Sequence, residues 1–374
     1  MLDGPEGLDR RLRDTTIAAG PAITGALERA AAAIARLDQA LQNHPLRPAF
    51  LYRARLEAVR RQAGVDGQAI DPWHLAAVLE GLRLRMGSAL RIIDRGAIFA
   101  AARHALDLHQ WLVEPDFDQE GEVRLAEQAL AATAGSPLLA AAHWLHAWLG
   151  GDGRGSGNGQ GSGDRGGGTR APARAALVRH WTKHRLLRAP VPLTGPQALR
   201  PDVDWGFSAW APCFLRALAD EADESLQLLL DLERAWFAAR GAVAGRRRTS
   251  RAAAAIDLLA AAPLLSATTL AQGLGMAVKN AAALLDQFHA DGIAVEVTHR
   301  SKRRLYGLAG LAPLRDEVAP PYRPMPGLPL PQPGGGHGPG RSDGAERPSG
   351  ARRPGARDGR NAGTVCAARR AANR

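Results

Sequence analysis

Residues 250–308 read SRAAAAIDLLAAAPLLSATTLAQGLGMAVKNAAALLDQFHADGIAVEVTHRSKRRLYGL, and the reading of the fold turns on this stretch. The spacing of Ala254, Ile256, Leu258 and Leu259 predicts a helix over 251–262, stopped by Pro263. Ser266 is placed to cap a short helix over 267–273. Gly273-Leu274-Gly275 then makes a tight turn. A longer helix over 277–290 turns Ala281, Leu284, Leu285 and Phe288 inward and ends at Asp291-Gly292. Two short strands follow, 293–298 and 303–308, in which Val295 and Val297 alternate with Glu296. Between them lies His299-Arg300-Ser301-Lys302-Arg303-Arg304.

Helix, short helix, tight turn, longer helix and hairpin is the order of a winged helix-turn-helix. The expected partner is double-stranded DNA. Lys279 and Asn280 fall on the outer face of the third helix, near its N-terminus, where such a helix meets base edges. Asparagine reads adenine bidentately, and lysine reads guanine or a phosphate. Alanines at 277, 282 and 283 let that helix approach closely. Arg300, Lys302, Arg303 and Arg304 concentrate positive charge on the wing, where it grips phosphate with salt-dependent affinity. Thr268 and Thr269, opening the short helix, are further phosphate donors.

Working outward, the charge supports this division. The 374 residues carry 48 Lys+Arg against 37 Asp+Glu, a net charge of +11. Residues 1–245 hold 28 basic and 28 acidic residues, so that part is neutral, whereas residues 246–315 hold 10 and 4. Arg246, Arg247 and Arg248 lead into the first helix of the motif and add backbone contacts or form a solvated hinge. A tail over 319–374, rich in Arg, Pro and Gly, has the composition of disorder.

The chain before residue 245 reads as helical. Apolar residues recur at helical steps over 22–43, 47–62, 93–113, 120–134 and 137–149. Asp71-Pro72 opens a helix carrying Trp73, Leu75, Val78 and Leu79. Residues 173–188 and 208–240 continue the pattern, the latter with Leu226, Leu229, Leu230, Leu232 and Trp236 as its core stripe. Residues 150–172 are Gly-rich and read as a flexible linker. The fold class is therefore mainly α: a helical region over 1–149, a linker over 150–172, a helical continuation over 173–245, a winged helix-turn-helix over 246–318 and the tail.

Several chemistries find no support. The two cysteines, Cys213 and Cys366, lie far apart and make neither a disulfide framework nor a CxxC metal site. His143 and His146, and likewise His180 and His184, lie one turn apart, but no carboxylate or third histidine joins either pair, so packing is the expected role. The tryptophans are read as core. No GxSxG, P-loop or Rossmann glycine pattern occurs, so neither an enzyme nor a cofactor is expected. The uncharged run 128–151 is broken by Gly135-Ser136-Pro137 and reads as two buried helices, not a membrane span. With an acidic, Gly-rich start, the cytoplasm is the expected compartment.

The chain resembles a family of alphaproteobacterial, rhizobial proteins with an N-terminal domain of unknown function and a C-terminal helix-turn-helix. The residues that carry the resemblance are Arg47-Pro48-Ala49-Phe50-Leu51-Tyr52-Arg53-Ala54-Arg55-Leu56, Asp66-Gly67, Ile70-Asp71-Pro72-Trp73-His74-Leu75, Leu79-Glu80-Gly81-Leu82-Arg83, Leu305-Tyr306-Gly307-Leu308 and Leu311-Ala312-Pro313-Leu314-Arg315. It implies a DNA-binding transcriptional regulator. There is a weaker likeness to Fic-family proteins, through Ala281–Tyr306. Their catalytic HPFxxGNGR motif is missing: His44-Pro45-Leu46 and Gly157-Asn158-Gly159-Gln160 are far apart. The competing readings are thus a catalytically degenerate Fic-like module and a protein-interaction module of the plasmid-maintenance type. For a regulator, a homodimer is expected because such proteins read paired half-sites, with the N-terminal helices dimerising or sensing a small-molecule effector.

Overall fold

A computed structural model describes residues 5–65, 67–68, 70, 72–81, 95–108, 120–151, 167–245 and 250–312. These are mainly helical. Among the described residues eight helices precede residue 245: α1 (Pro5–Leu41), α2 (Arg47–Val65), α3 (Pro72–Leu79), α4 (Arg95–Leu108), α5 (Glu120–Ala131), α6 (Pro137–Gly151), α7 (Gly167–Lys183) and α8 (Phe207–Ala242). A 3₁₀ turn over Pro196–Leu199 comes between α7 and α8. Then follow α9 (Ala252–Ala261), β1 (Leu265–Ser266), α10 (Ala267–Leu274), α11 (Val278–Ala290), β2 (Ala294–Glu296) and β3 (Leu305–Leu308).

The long helices α1 and α8 form the spine. The pairs Arg29–Asp220 (2.6 Å) and Arg36–Asp223 (2.7 Å), and His44–Glu233 (3.4 Å) just past the end of α1, ascend together, so the two helices run in the same direction. Between them and their neighbours, Ile34, Leu37, Trp181, Trp210, Phe214, Leu218 and Leu232 are removed from water. That burial of aliphatic and aromatic area is the main stabilising term. Leu229 joins this core, but Leu230 is 43% exposed, a departure from the stripe read from the sequence. Trp205 also departs from the core reading. It is exposed and its ring stacks on His146, 5.1 Å between centroids.

The Gly-rich segment 152–166 and the tail from 313 lie outside the described residues, as do Trp111 and Arg246–Arg248. Helix α7 begins at Gly167, inside the stretch assigned to the linker. The uncharged run 128–151 is interrupted, with α5 ending at Ala131 and α6 starting at Pro137. Among the described residues no helix is long and apolar enough to cross a membrane.

The charge boundary near residue 245 is not a gap in the packing. One apolar core runs from α1 and α8 into Ile256, Leu259, Leu270, Leu285 and Phe288. A second joins Leu56, Val59, Leu75 and Leu106 of the N-terminal helices to Leu264, Val297 and Leu305. Arg53, buried on α2, caps the C-terminus of α9. Its Nε donates to Ala260 O (2.5 Å), and its Nη2 to Leu259 O (3.2 Å) and Ala262 O (3.1 Å). The last carbonyls of a helix lack intrahelical donors, and a buried guanidinium supplies them. Burial lowers its pKa to about 10, so it remains a cation at neutral pH. From α8, Trp236 Nε1 donates to Asp257 on α9 (2.7 Å).

Candidate nucleic-acid interface

The three helices α9, α10 and α11 are followed by a hairpin, and the sheet it belongs to has three strands in the order β1-β3-β2. Both pairings are antiparallel. Leu265 faces Tyr306 across β1–β3, and Val295 faces Gly307 across β2–β3. The two-residue strand β1 shows no alternation and was not legible in the sequence. Gly307 is required by close approach: a Cβ there would lie 2.9 Å from Pro263 O and 2.6 Å from Ala312 Cβ.

Ser266 caps α10, its hydroxyl accepting from Thr269 N at 3.1 Å. Gly275 ends α10 with φ +62°, the left-handed conformation that suits glycine, and the chain turns there into α11. Ala281, Leu285 and Phe288 of α11 are fully buried against this small core. On the opposite side, Lys279, Asn280, Ala283 and Gln287 are exposed, a stripe at helical spacing. Val278, 49% exposed, extends it. Ala277, at the N-cap of α11, provides no side-chain cap. The structure thus presents the two α11 residues chosen from the sequence and adds Val278, Ala283 and Gln287. Val278 passed unnoticed because its apolar character suggests the core.

The basic cluster of the hairpin divides. Lys302 and Arg303 are exposed at the tip and make no ion pair among the described residues. Positive φ at His299 (50°) and Arg303 (54°) turns the chain around the tip. Glu296, buried at the end of β2, accepts from Thr298 N (2.8 Å), His299 N (3.0 Å) and the Thr298 hydroxyl, fixing the first half of the loop. Arg300 is half-buried and engaged.

Two of the residues chosen from the sequence, Arg304 and Thr269, have partners within the protein. Arg304 Nη2 donates to Asp286 of α11 at 2.8 Å, and its guanidinium lies 5.5 Å from the Tyr306 ring centroid. The Tyr306 hydroxyl donates to the same carboxylate at 2.7 Å. Burial alone raises the Asp286 pKa, but the hydrogen bonds from Tyr306 and Arg304 outweigh it and hold it below the ordinary value. Arg304 is therefore a positioning residue that ties the hairpin to α11. Thr269 is the second such residue. Its hydroxyl donates to Glu80 Oε2 at 2.8 Å, so a carboxylate from the end of α3 already occupies the start of α10. Burial raises the pKa of Glu80, and hydrogen bonds from Ser266 and Thr269 oppose that rise. Thr268 alone of the pair is exposed. The sequence gives no sign of either capture, since their partners lie 18 and 189 residues away.

The histidine pairs are engaged in packing. His143 Nδ1 bonds Leu139 O (3.0 Å), His146 Nε2 bonds Trp205 O (2.7 Å), and His180 Nε2 bonds Pro137 O (3.1 Å). No group of three potential metal-ligating side chains occurs among the described residues. Compared with known proteins, the chain matches no family model and no curated protein.

Proposed function

We propose that residues 250–312 form a winged helix-turn-helix and that the protein is a DNA-binding transcriptional regulator rather than an enzyme. The observation that carries the reading is the order α9-β1-α10-α11-β2-β3 with a β1-β3-β2 sheet, combined with an exposed stripe on α11. In this reading α11 enters the major groove. Lys279 and Asn280 read base edges there, and Val278 packs on a thymine methyl. Lys302 and Arg303 bind phosphates from the hairpin tip, with Thr268 as a weaker donor. Arg304 sets the hairpin against α11 through Asp286. The N-terminal helices, joined to this unit by a shared core and by Arg53, serve as the platform for dimerisation.

The test is a pair of variants of the full chain, titrated with duplex DNA over a salt series. Lys302→Ala/Arg303→Ala lowers affinity for all sequences and reduces the slope of log K against log salt by about 2, roughly one per lost phosphate contact. Arg304→Ala leaves that slope in place. Equal slopes for the wild type and the double variant sink the wing assignment.

A further inference from the structure

The donors that open α10 converge on a carboxylate from another part of the chain. Glu80 closes the last turn of α3, its N–H donating to Ala76 O at 3.0 Å. Its Oε2 accepts from the Thr269 hydroxyl at 2.8 Å, across 189 residues of sequence. Ser266 bonds the same carboxylate through its side chain and its backbone. Ser266 and Thr269 are also joined to each other: their hydroxyl oxygens lie 3.0 Å apart, and Thr269 N donates to Ser266 Oγ at 3.1 Å. Gly81, with φ +68°, then turns the chain away. The second apolar core holds Leu75 of α3 together with Leu264, just before β1, so packing keeps the two elements adjacent. Burial raises the pKa of Glu80, while the bonds from Ser266 and Thr269 favour its charged form.

Hydroxyls, a backbone N–H and the positive end of a helix are also what a phosphate group takes up. In a helix-turn-helix the first of the two helices crosses the DNA backbone. Here that helix is α10, and the exposed Thr268 stands next to Thr269 at its start. One set of donors cannot satisfy two anions, and like charges at such range repel.

We propose that Glu80 is an intramolecular phosphate mimic, an autoinhibitory contact through which the N-terminal helices hold down the affinity of α10 for the DNA backbone. The inference rests on the regulator reading above and adds to it a negative determinant outside residues 250–312. Glu80 withholds the hydroxyls of Ser266 and Thr269 from DNA, and its charge repels the phosphate nearest Thr268. Thr268 is thereby a weaker donor than its exposure suggests.

The test is titration of the full chain with duplex DNA over a salt series at about pH 8, where an ordinary carboxyl is charged. Glu80→Gln keeps an oxygen that accepts from Thr269 and removes the charge. It binds about tenfold more tightly than the wild type near 0.1 M salt, and its slope of log K against log salt steepens by about 1. Glu80→Ala, which frees both hydroxyls as well, rises at least as far. Glu122→Gln removes the same charge from an exposed position on α5 and changes affinity by less than about twofold. Circular dichroism of each variant establishes that the fold is kept. Wild-type binding that Glu80→Gln leaves unchanged or weakens overturns the proposal and leaves the regulator reading standing. So does a rise that Glu122→Gln matches. Absence of binding by the wild type and by every variant overturns both.

Discussion

In the helices up to Ala242, several arginines end on partners within the protein. Arg29, Arg36 and Arg179 meet Asp220, Asp223 and Glu120, and Arg53 meets carbonyl oxygens. In residues 250–312 the hairpin tip leaves Lys302 and Arg303 exposed, and the N-terminal end of α11 exposes Lys279. Both regions share one core, so the contrast does not separate two independent bodies. It separates cations that hold the fold from cations held out by it. Arg304 marks the boundary, because it sits in the basic cluster and yet serves the fold.

The largest effect expected follows from Arg53. Arg53→Ala removes the donors to three buried or half-buried carbonyls and unties α2 from α9, costing about 3 kcal/mol in urea unfolding. Unchanged stability breaks the claim that the regions are joined by this residue. Lys279→Ala/Asn280→Ala is the opposite case. It is expected to leave stability within about 0.5 kcal/mol while lowering discrimination between duplexes by about 1–3 kcal/mol in competition binding. Loss of folding instead of specificity places these side chains with the structural set.

Glu221 sharpens the comparison from the N-terminal side. It is buried and accepts from Thr194 N and Gly195 N, and burial raises its pKa from 4.5 to about 7. The native protein therefore keeps a proton that the unfolded chain releases above pH 4.5. This contribution is fully present below that pH and is lost as pH rises through 7, by up to about 1.4 kcal/mol per unit. Glu221→Gln flattens that decline in unfolding free energy measured from pH 5 to 7, and a slope unchanged by the variant contradicts the assignment. The smallest effect belongs to Arg304→Ala, about 1 kcal/mol of stability from the lost bond to Asp286. Tyr306 still donates to that carboxylate.

Much of the local structure in 250–308 was legible because its signals are local. The Ser266 cap, the Pro263 stop and the glycine turn at 275 each act within a few residues. The inward positions Ala281, Leu285 and Phe288 follow from helical period alone. What escaped was long-range. Strand β1 exists because β3, some forty residues on, pairs with it. Glu80 reaches Thr269, and Arg53 reaches α9, across about two hundred residues of chain. Charge counting could nominate Arg304 but could not reveal that Asp286 holds it. Leu230 was misread as core because a wide apolar stripe on α8 exceeds the face its neighbours cover.

One measurement bears most directly on the central claim. The full chain is mixed with a random-sequence duplex pool, and the DNA retained at rising salt is sequenced. The account predicts one enriched motif whose affinity falls linearly in log K against log salt, and whose enrichment disappears in Lys279→Ala/Asn280→Ala. Retention of all sequences alike, or no retention at low salt, contradicts base reading by α11.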